Sequence, residues 1–188
     1  MCSSDLRRGE LKGPVPVGLV YNDRDEVVLD PDRQIQEALR TFFRTFRRTG
    51  SACATVKAFR EQGLLFPRRL LKGPRKGAVL WSELLHCRAL QLLHNPVYAG
   101  AFCYGRTRTR KKADGSMGYS RLPREQWHTL LPGAHEGYIT WEEFEENQRR
   151  MKENCLAYGL VPRKGPPREG PALLQGLVVC GRCGKRMT

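Results

Sequence analysis

The sequence contains no apolar run approaching the roughly 20 residues that a bilayer-spanning helix needs, and Met1 opens no secretory leader pattern. A membrane-spanning or exported protein is therefore not expected, and cytoplasmic residence follows by default. Carboxylates are scarce as well, with 19 Asp and Glu against 33 Lys and Arg. The resulting formal charge of +14 and pI near 9.9 exceed what solubility requires. Such an excess makes a polyanion the expected partner, nucleic acid before a membrane surface. An evenly spaced cysteine framework is also missing. The seven cysteines are unevenly spread, and Cys53, Cys87 and Cys103 sit among apolar neighbours, which points to reduced thiols rather than a disulfide scaffold. No internal repeat is found. A chain of 188 residues is long enough for one well-cored domain, with or without a small appendage.

Residues 1–16 carry no periodic pattern and are left unassigned. From Val17 to Asp30, two short apolar runs flank the polar turn Asn22-Asp23-Arg24-Asp25, which predicts a small β-hairpin. Asp30 as N-cap and Pro31 at the first helical position then predict a helix carrying Ile35, Leu39, Phe42, Phe43 and Phe46 on one face. Gly50-Ser51 ends it and caps a second helix bearing Ala52, Val56 and Phe59, closed by Gly63. The pair fits either a DNA-reading helix-turn-helix or an ordinary helical hairpin, and spacing alone does not separate the two.

The stretch Phe66 to Gly77 mixes Arg68, Arg69, Lys72, Arg75 and Lys76 with proline and glycine, and reads as a solvated basic loop. Trp81 leads into a predicted helix capped by Ser82, with Leu84, Leu85, Ala89, Leu92 and Leu93 as its apolar positions, stopped by Asn95-Pro96. A strand is expected over Val97 to Tyr104. Arg106, Arg108, Arg110, Lys111 and Lys112 follow, running into Asp114-Gly115, and suggest a hairpin with a charged tip. Short strands are plausible around Trp127 to Leu131. Thr140 and Glu143 form a capping box opening a last helix with Trp141, Phe144, Gln148 and Met151 on one stripe. Prolines and glycines over 158–171 read as a linker, leaving 17–157 as the main domain and 172–188 as a separate start.

Four segments stand in a telling order. They are Val17-Gly18-Leu19-Val20-Tyr21 with the helix after Pro31; Trp81 followed by Leu93 to Gly100 and Tyr104-Gly105-Arg106; His135 to Phe144; and Leu174 to Gly184, which contains Cys180-Gly181-Arg182-Cys183. In this order the chain, from about Val17 onward, resembles the recombinase domain and the start of the zinc-ribbon domain of large serine recombinases, the phage integrase and transposon recombinase group. The resemblance implies an α+β fold of helices and small strands that grips double-stranded DNA at a recombination, or attachment, site. It also implies a bacterial or phage-encoded, nucleoid-associated protein, with homo-oligomers in the full-length form. The family's resolvase-like catalytic domain should precede Val17. The short stretch there, with Ser3 and Ser4, does not match it, so strand cleavage by this chain alone is not expected.

Cys180 and Cys183 can place two thiolates on one Zn2+, whereas tetrahedral structural zinc takes four ligands. The resemblance puts the other pair downstream, making this half a site; an unliganded pair or a redox dithiol is the alternative. His128 and His135 are read as structural. For DNA, the two basic clusters would neutralise phosphates and release counterions. Arg106, Arg108, Arg110, Lys111 and Lys112 come first, because a hairpin tip can enter a groove, and Arg68, Arg69, Lys72, Arg75 and Lys76 second. A charge run is also, commonly, just a solvated face. Trp81, Tyr98, Tyr104, Trp127 and Trp141 are read mostly as core. A general RNA-binding protein, which should interleave aromatics with the basic clusters, and a truncated remnant without independent function are the competing readings.

Overall fold

A computed structural model describes residues 11–70, 73–111, 113 and 115–156. The first hairpin forms as expected: β1 (Leu19–Tyr21) pairs antiparallel with β2 (Val27–Leu29), Leu19 facing Leu29. Asn22 closes its turn, its side-chain oxygen accepting the backbone N–H groups of Arg24 and Glu26 at 2.9 Å each. Asp25 takes the left-handed conformation there, with φ 63°.

The first helix, α1 (Arg33–Thr49), starts later than the sequence suggested. Asp32, not Asp30, is the N-cap, accepting from the Gln34 amide at 2.8 Å. Asp30 is drawn inward instead: it is 6% exposed and binds the Arg69 guanidinium at 2.9 Å. The expected apolar face is otherwise intact, with Ile35, Leu39, Phe42, Phe43 and Phe46 all buried. Gly50, at φ 66°, turns the chain into α2 (Ala52–Glu61), whose N-cap is Ser51.

The segment read as an irregular basic loop is partly a strand. β3 (Leu65–Arg69) pairs antiparallel with β4 (Val79–Glu83), Pro67 opposite Trp81. The cause is Phe66, which is 2% exposed and packs edge-on against Phe42 and Phe59 at centroid distances of 5.7 and 6.2 Å. Edge-to-face pairs of this kind add about 0.5–1.5 kcal/mol each beyond the area they bury. Pairing with β3 claims Trp81 and Ser82 for a strand, so α3 begins at His86, runs to Leu93, and has Leu85 rather than Ser82 at its N-cap. The chain then makes a single 3-10 turn, Pro96–Ala99, over the start of the strand expected across Val97 to Tyr104, of which Phe102–Tyr104 does form a strand. The turn is set by Pro96 at its first position and by Tyr98, which is buried and donates its hydroxyl to the Val17 carbonyl at 3.0 Å.

Two further strand pairs and a helix follow. β5 (Phe102–Tyr104) pairs with β8 (Thr129–Leu131), and between them β6 (Thr107–Lys111) and β7 (Met117–Arg121) form a separate two-stranded ribbon. The last helix, α4 (Trp141–Leu156), opens on the expected capping box. The Glu143 amide donates to Thr140 Oγ1 at 3.2 Å, and the Thr140 amide to Glu143 Oε2 at 3.1 Å.

The described residues thus form four helices and four small antiparallel strand pairs, the α+β class the sequence implied. α1 supplies the core, with Phe59, Phe66, Leu92, Leu93, Tyr98 and Phe144 among the side chains packed around it. Two of the sequence segments singled out separately meet here. The Tyr138 amide donates to the Tyr98 carbonyl at 2.7 Å, and a Cβ on Gly137 would lie 2.6 Å from the Gly100 amide nitrogen. Only glycine permits that approach. Among the described residues no helix is long and apolar enough to cross a membrane. The linker over 158–171, the segment 172–188, and Cys180 and Cys183 lie outside the described residues.

Candidate nucleic-acid interface

The ribbon is the part of the described chain that carries the most cationic charge without a function in the fold. All five residues of β6 are exposed, and alternation along the strand places Arg108 and Arg110 on one face, with Thr107, Thr109 and Lys111 on the other. Register with β7 adds Ser120 and Gly118 to the first face, and Arg121, Tyr119 and Met117 to the second. Among the described residues, none of Arg108, Arg110, Lys111 and Arg121 enters an ion pair.

The root of the ribbon is rigid. Arg106 donates to Asn95 Oδ1 at 2.9 Å and to the His94 carbonyl at 3.0 Å, and its guanidinium lies 5.3 Å from the Trp127 ring centre. Trp127 in turn donates to the Leu122 carbonyl at 3.0 Å, and the Leu122 amide returns to the Arg106 carbonyl at 2.9 Å. Gly105 sits at φ 77° against His128, where a Cβ would be 2.7 Å from the histidine Cβ. Burial pushes the neighbouring Cys103 thiol upward in pKa, against the opposing effect of Arg106.

The second predicted cluster divides in the same way. Arg69 is held inside, donating to Asp30 Oδ2 and, at 2.8 Å, to the Leu19 carbonyl. Arg68, Arg75 and Lys76 are exposed, the last two in the turn joining β3 to β4. Lys72 and Lys112 fall outside the described residues. Of the ten cationic positions singled out from the sequence, six therefore present free charge, and Arg69 and Arg106 have their guanidinium groups committed to the fold.

On the helix pair, Arg33, Arg40 and Arg48 of α1 are exposed and enter no ion pair among the described residues, whereas the cations of α2 are offset. On α2, Lys57 faces Glu61 at 3.7 Å and Arg60 faces Glu83 at 4.0 Å, so neighbouring carboxylates offset its exposed cations. The aromatic residues also divide. Tyr98 is buried and Trp127 and Trp141 are partly buried, whereas Trp81 and Tyr104 are 39% and 37% exposed. His128 and His135 make local hydrogen bonds, to Thr129 Oγ1 and to the Glu136 carbonyl. Among the described residues no group of three or more His, Cys, Asp or Glu could hold a metal ion.

The expected hairpin forms, with its cations along β6 rather than at the tip, but the sequence reading did not single out the residues of its return strand β7. Met117 and Tyr119 are 57% and 76% exposed, and Tyr119 stands directly opposite Thr109, so the ribbon does carry an aromatic residue. The alternation Met117-Gly118-Tyr119-Ser120-Arg121 immediately after the Asp114-Gly115 turn was the available signal.

The described residues form an α+β domain that carries an exposed basic two-stranded ribbon. The comparisons make the assignment specific. The sequence model of the Recombinase family matches residues 33–154, and the chain belongs to that family. It is 54% identical over 181 residues to the uncharacterized protein y4bA/y4pH of Sinorhizobium fredii, covering 96% of this chain but 26% of that protein. The chain thus spans about a quarter of that relative's length. Its fold is similar to that in a crystal structure of an LSR–DNA complex, LSR denoting a large serine recombinase, with a TM-score of 0.55 at 17% identity over 96% of this chain and 44% of the other. A structure concerning the sequence requirements of the Listeria innocua prophage attP site is also similar, with a TM-score of 0.50 at 18% identity over 89% of this chain and 52% of that one.

Proposed function

We propose that the chain binds double-stranded DNA at a recombination site, as the DNA-gripping part of a serine site-specific recombinase. The observation that carries this reading is the ribbon, whose β6 strand offers three exposed cations that no described carboxylate offsets. A two-stranded ribbon fits the major groove of B-DNA, about 12 Å wide, and arginine and lysine there contact phosphates and guanine edges. Arg108, Arg110 and Lys111 are the leading contacts, with Arg68 on β3 and Arg75 and Lys76 on the β3–β4 turn as a second set. The DNA in the structurally similar LSR–DNA complex supports the choice of partner.

A second reading, single-stranded or structured RNA, is favoured by one feature, the exposed ring of Tyr119, because stacking on splayed bases is how such ligands are held. Competition between duplex DNA and a structured RNA at fixed salt separates the two. Duplex DNA is expected to displace labelled duplex at least tenfold better than RNA does; parity or the reverse order would remove the DNA reading.

Zinc belongs to the same proposal. Cys180 and Cys183 would supply two of the four ligands that structural zinc takes, as deprotonated thiolates, and so half a site. Metal analysis at neutral pH tests whether the pair binds zinc. Replacing both cysteines with serine should abolish any bound zinc, and unchanged zinc content would exclude them as ligands.

A further inference from the structure

At the root of the ribbon, α3 and its C-terminal continuation face Arg106 and Arg121 across a cleft of about 290 Å³. Three arginines line it, Arg88, Arg106 and Arg121, together with Gln91 and Asn95, and no carboxylate does. Unlike the other basic positions, these three come from three separate segments: α3, the β5–β6 junction and the end of β7.

Two of the three are positioned before any ligand arrives. Arg106 is fixed by Asn95, by the His94 carbonyl and by the Trp127 ring. Arg88 reaches Gln91 Oε1 at 3.3 Å, but its Nε is buried without a hydrogen-bond partner. A buried donor left unpaired is unfavourable, more so when it belongs to a charged group. Like charges gathered without a counter-charge add a further penalty, which a single bound anion would relieve, and a small shift of the Arg88 side chain toward that anion would also give its Nε a partner. Arg121 is exposed at the mouth, opposite Thr107, where the ribbon leaves the body of the protein.

We propose that this cleft is a phosphate-binding site, in which Arg88, Arg106 and Arg121 together hold one tetrahedral oxyanion. The planar, forked guanidinium group matches phosphate oxygens two at a time, which Arg88 and Arg121 are able to do, while Arg106, held by Asn95 and the His94 carbonyl, contributes its charge and its remaining N–H groups to the same cleft. Continuity with the ribbon makes a backbone phosphate of bound DNA the natural occupant, and to that extent the inference rests on the proposed DNA binding. A free phosphate presents the same chemistry.

The test uses the whole chain, labelled with 15N, and follows the Nε–Hε signal of Arg88, assigned by its disappearance in Arg88→Lys. Duplex DNA and inorganic phosphate are titrated separately at constant ionic strength, with chloride as control. The signal is expected to move with both probes and not with chloride. In parallel, Arg88→Gln combined with Arg121→Gln should bind duplex DNA at least tenfold more weakly, with a salt slope smaller by about one. Neither side chain holds the core, so the thermal midpoint should change little. If duplex DNA does not bind at all but phosphate moves the signal, the DNA reading fails and the site stands as one for a free phosphate. If duplex DNA binds but neither probe moves the Arg88 signal, the site is overturned while the DNA reading survives.

Discussion

Arg68 and Arg69 are neighbours in sequence, yet alternation along β3 gives them opposite environments. Arg69 is drawn into the body of the protein, its side chain 16% exposed against an Asp30 side chain at 9%, while Arg68 faces solvent. Removing one member of a buried pair leaves the other charge unpaired, which costs about 3–5 kcal/mol. Arg69→Met should therefore lower the unfolding free energy by roughly that amount in urea titration, whereas Arg68→Ala should change it by less than about 0.5 kcal/mol. Equal effects would contradict the assignment of one residue to the fold and the other to the surface. The sequence shows both as members of one basic run, because the contact with Asp30 joins residues 39 apart.

Tyr98 gives a pH-dependent test at the same scale. Burial pushes its phenol well above the ordinary 10.0, and Tyr138, whose hydroxyl donates to the Gly18 carbonyl at 2.6 Å, is pushed up to about 12, also by burial. Above pH 10 the unfolded chain ionises these groups while the folded chain keeps them protonated. The unfolded state then binds fewer protons, and stability falls as pH rises. Tyr98 alone should contribute a slope approaching 1.4 kcal/mol per pH unit above pH 10. Denaturant midpoints measured from pH 8 to 11 should be flat and then fall. The fall should be shallower in Tyr138→Phe, and an identical profile in that variant would show that Tyr138 does not contribute.

At the scale of elements, local signals proved legible where they are self-contained. The β1–β2 hairpin, the apolar face of α1, the glycine turn into α2 and the capping box of α4 depend on residues within a few positions of one another. That box should be worth about 1 kcal/mol, so Thr140→Ala is expected to cost roughly 0.5–2 kcal/mol by chemical denaturation; an unchanged stability would mean that Glu143 finds another partner. The elements that were misplaced depend on distant contacts. Phe66 makes a strand of a segment rich in arginine and proline by packing on α1 and α2, and that strand takes Trp81 and Ser82 away from α3. Tyr98 similarly turns the start of an expected strand into a 3-10 turn, leaving only Phe102–Tyr104 as strand, because its hydroxyl reaches Val17, 81 residues earlier. Neither effect has a periodic signature in the sequence.

For the whole molecule, charge and the order of four motifs indicated the family correctly, and the Recombinase match over 33–154 bears that out. What the sequence did not distinguish is which cations serve the fold and which remain free. Ten positions looked alike as charge, and burial separates Arg69 and Arg106 from Arg108, Arg110 and Lys111. The same packing brings Arg88, from a helix with no basic run, to the root of the ribbon beside Arg106 and Arg121. The central claim is that the β6–β7 ribbon grips DNA through its free cations. It is tested most directly by measuring the affinity for duplex DNA across a salt series, for the native chain and for a variant with Arg108, Arg110 and Lys111 all changed to alanine. The account predicts an unchanged thermal midpoint, since the three side chains are exposed, weaker binding, and a log–log salt slope reduced by about one for each DNA phosphate that the variant no longer neutralises. Identical slopes for the two proteins would contradict it.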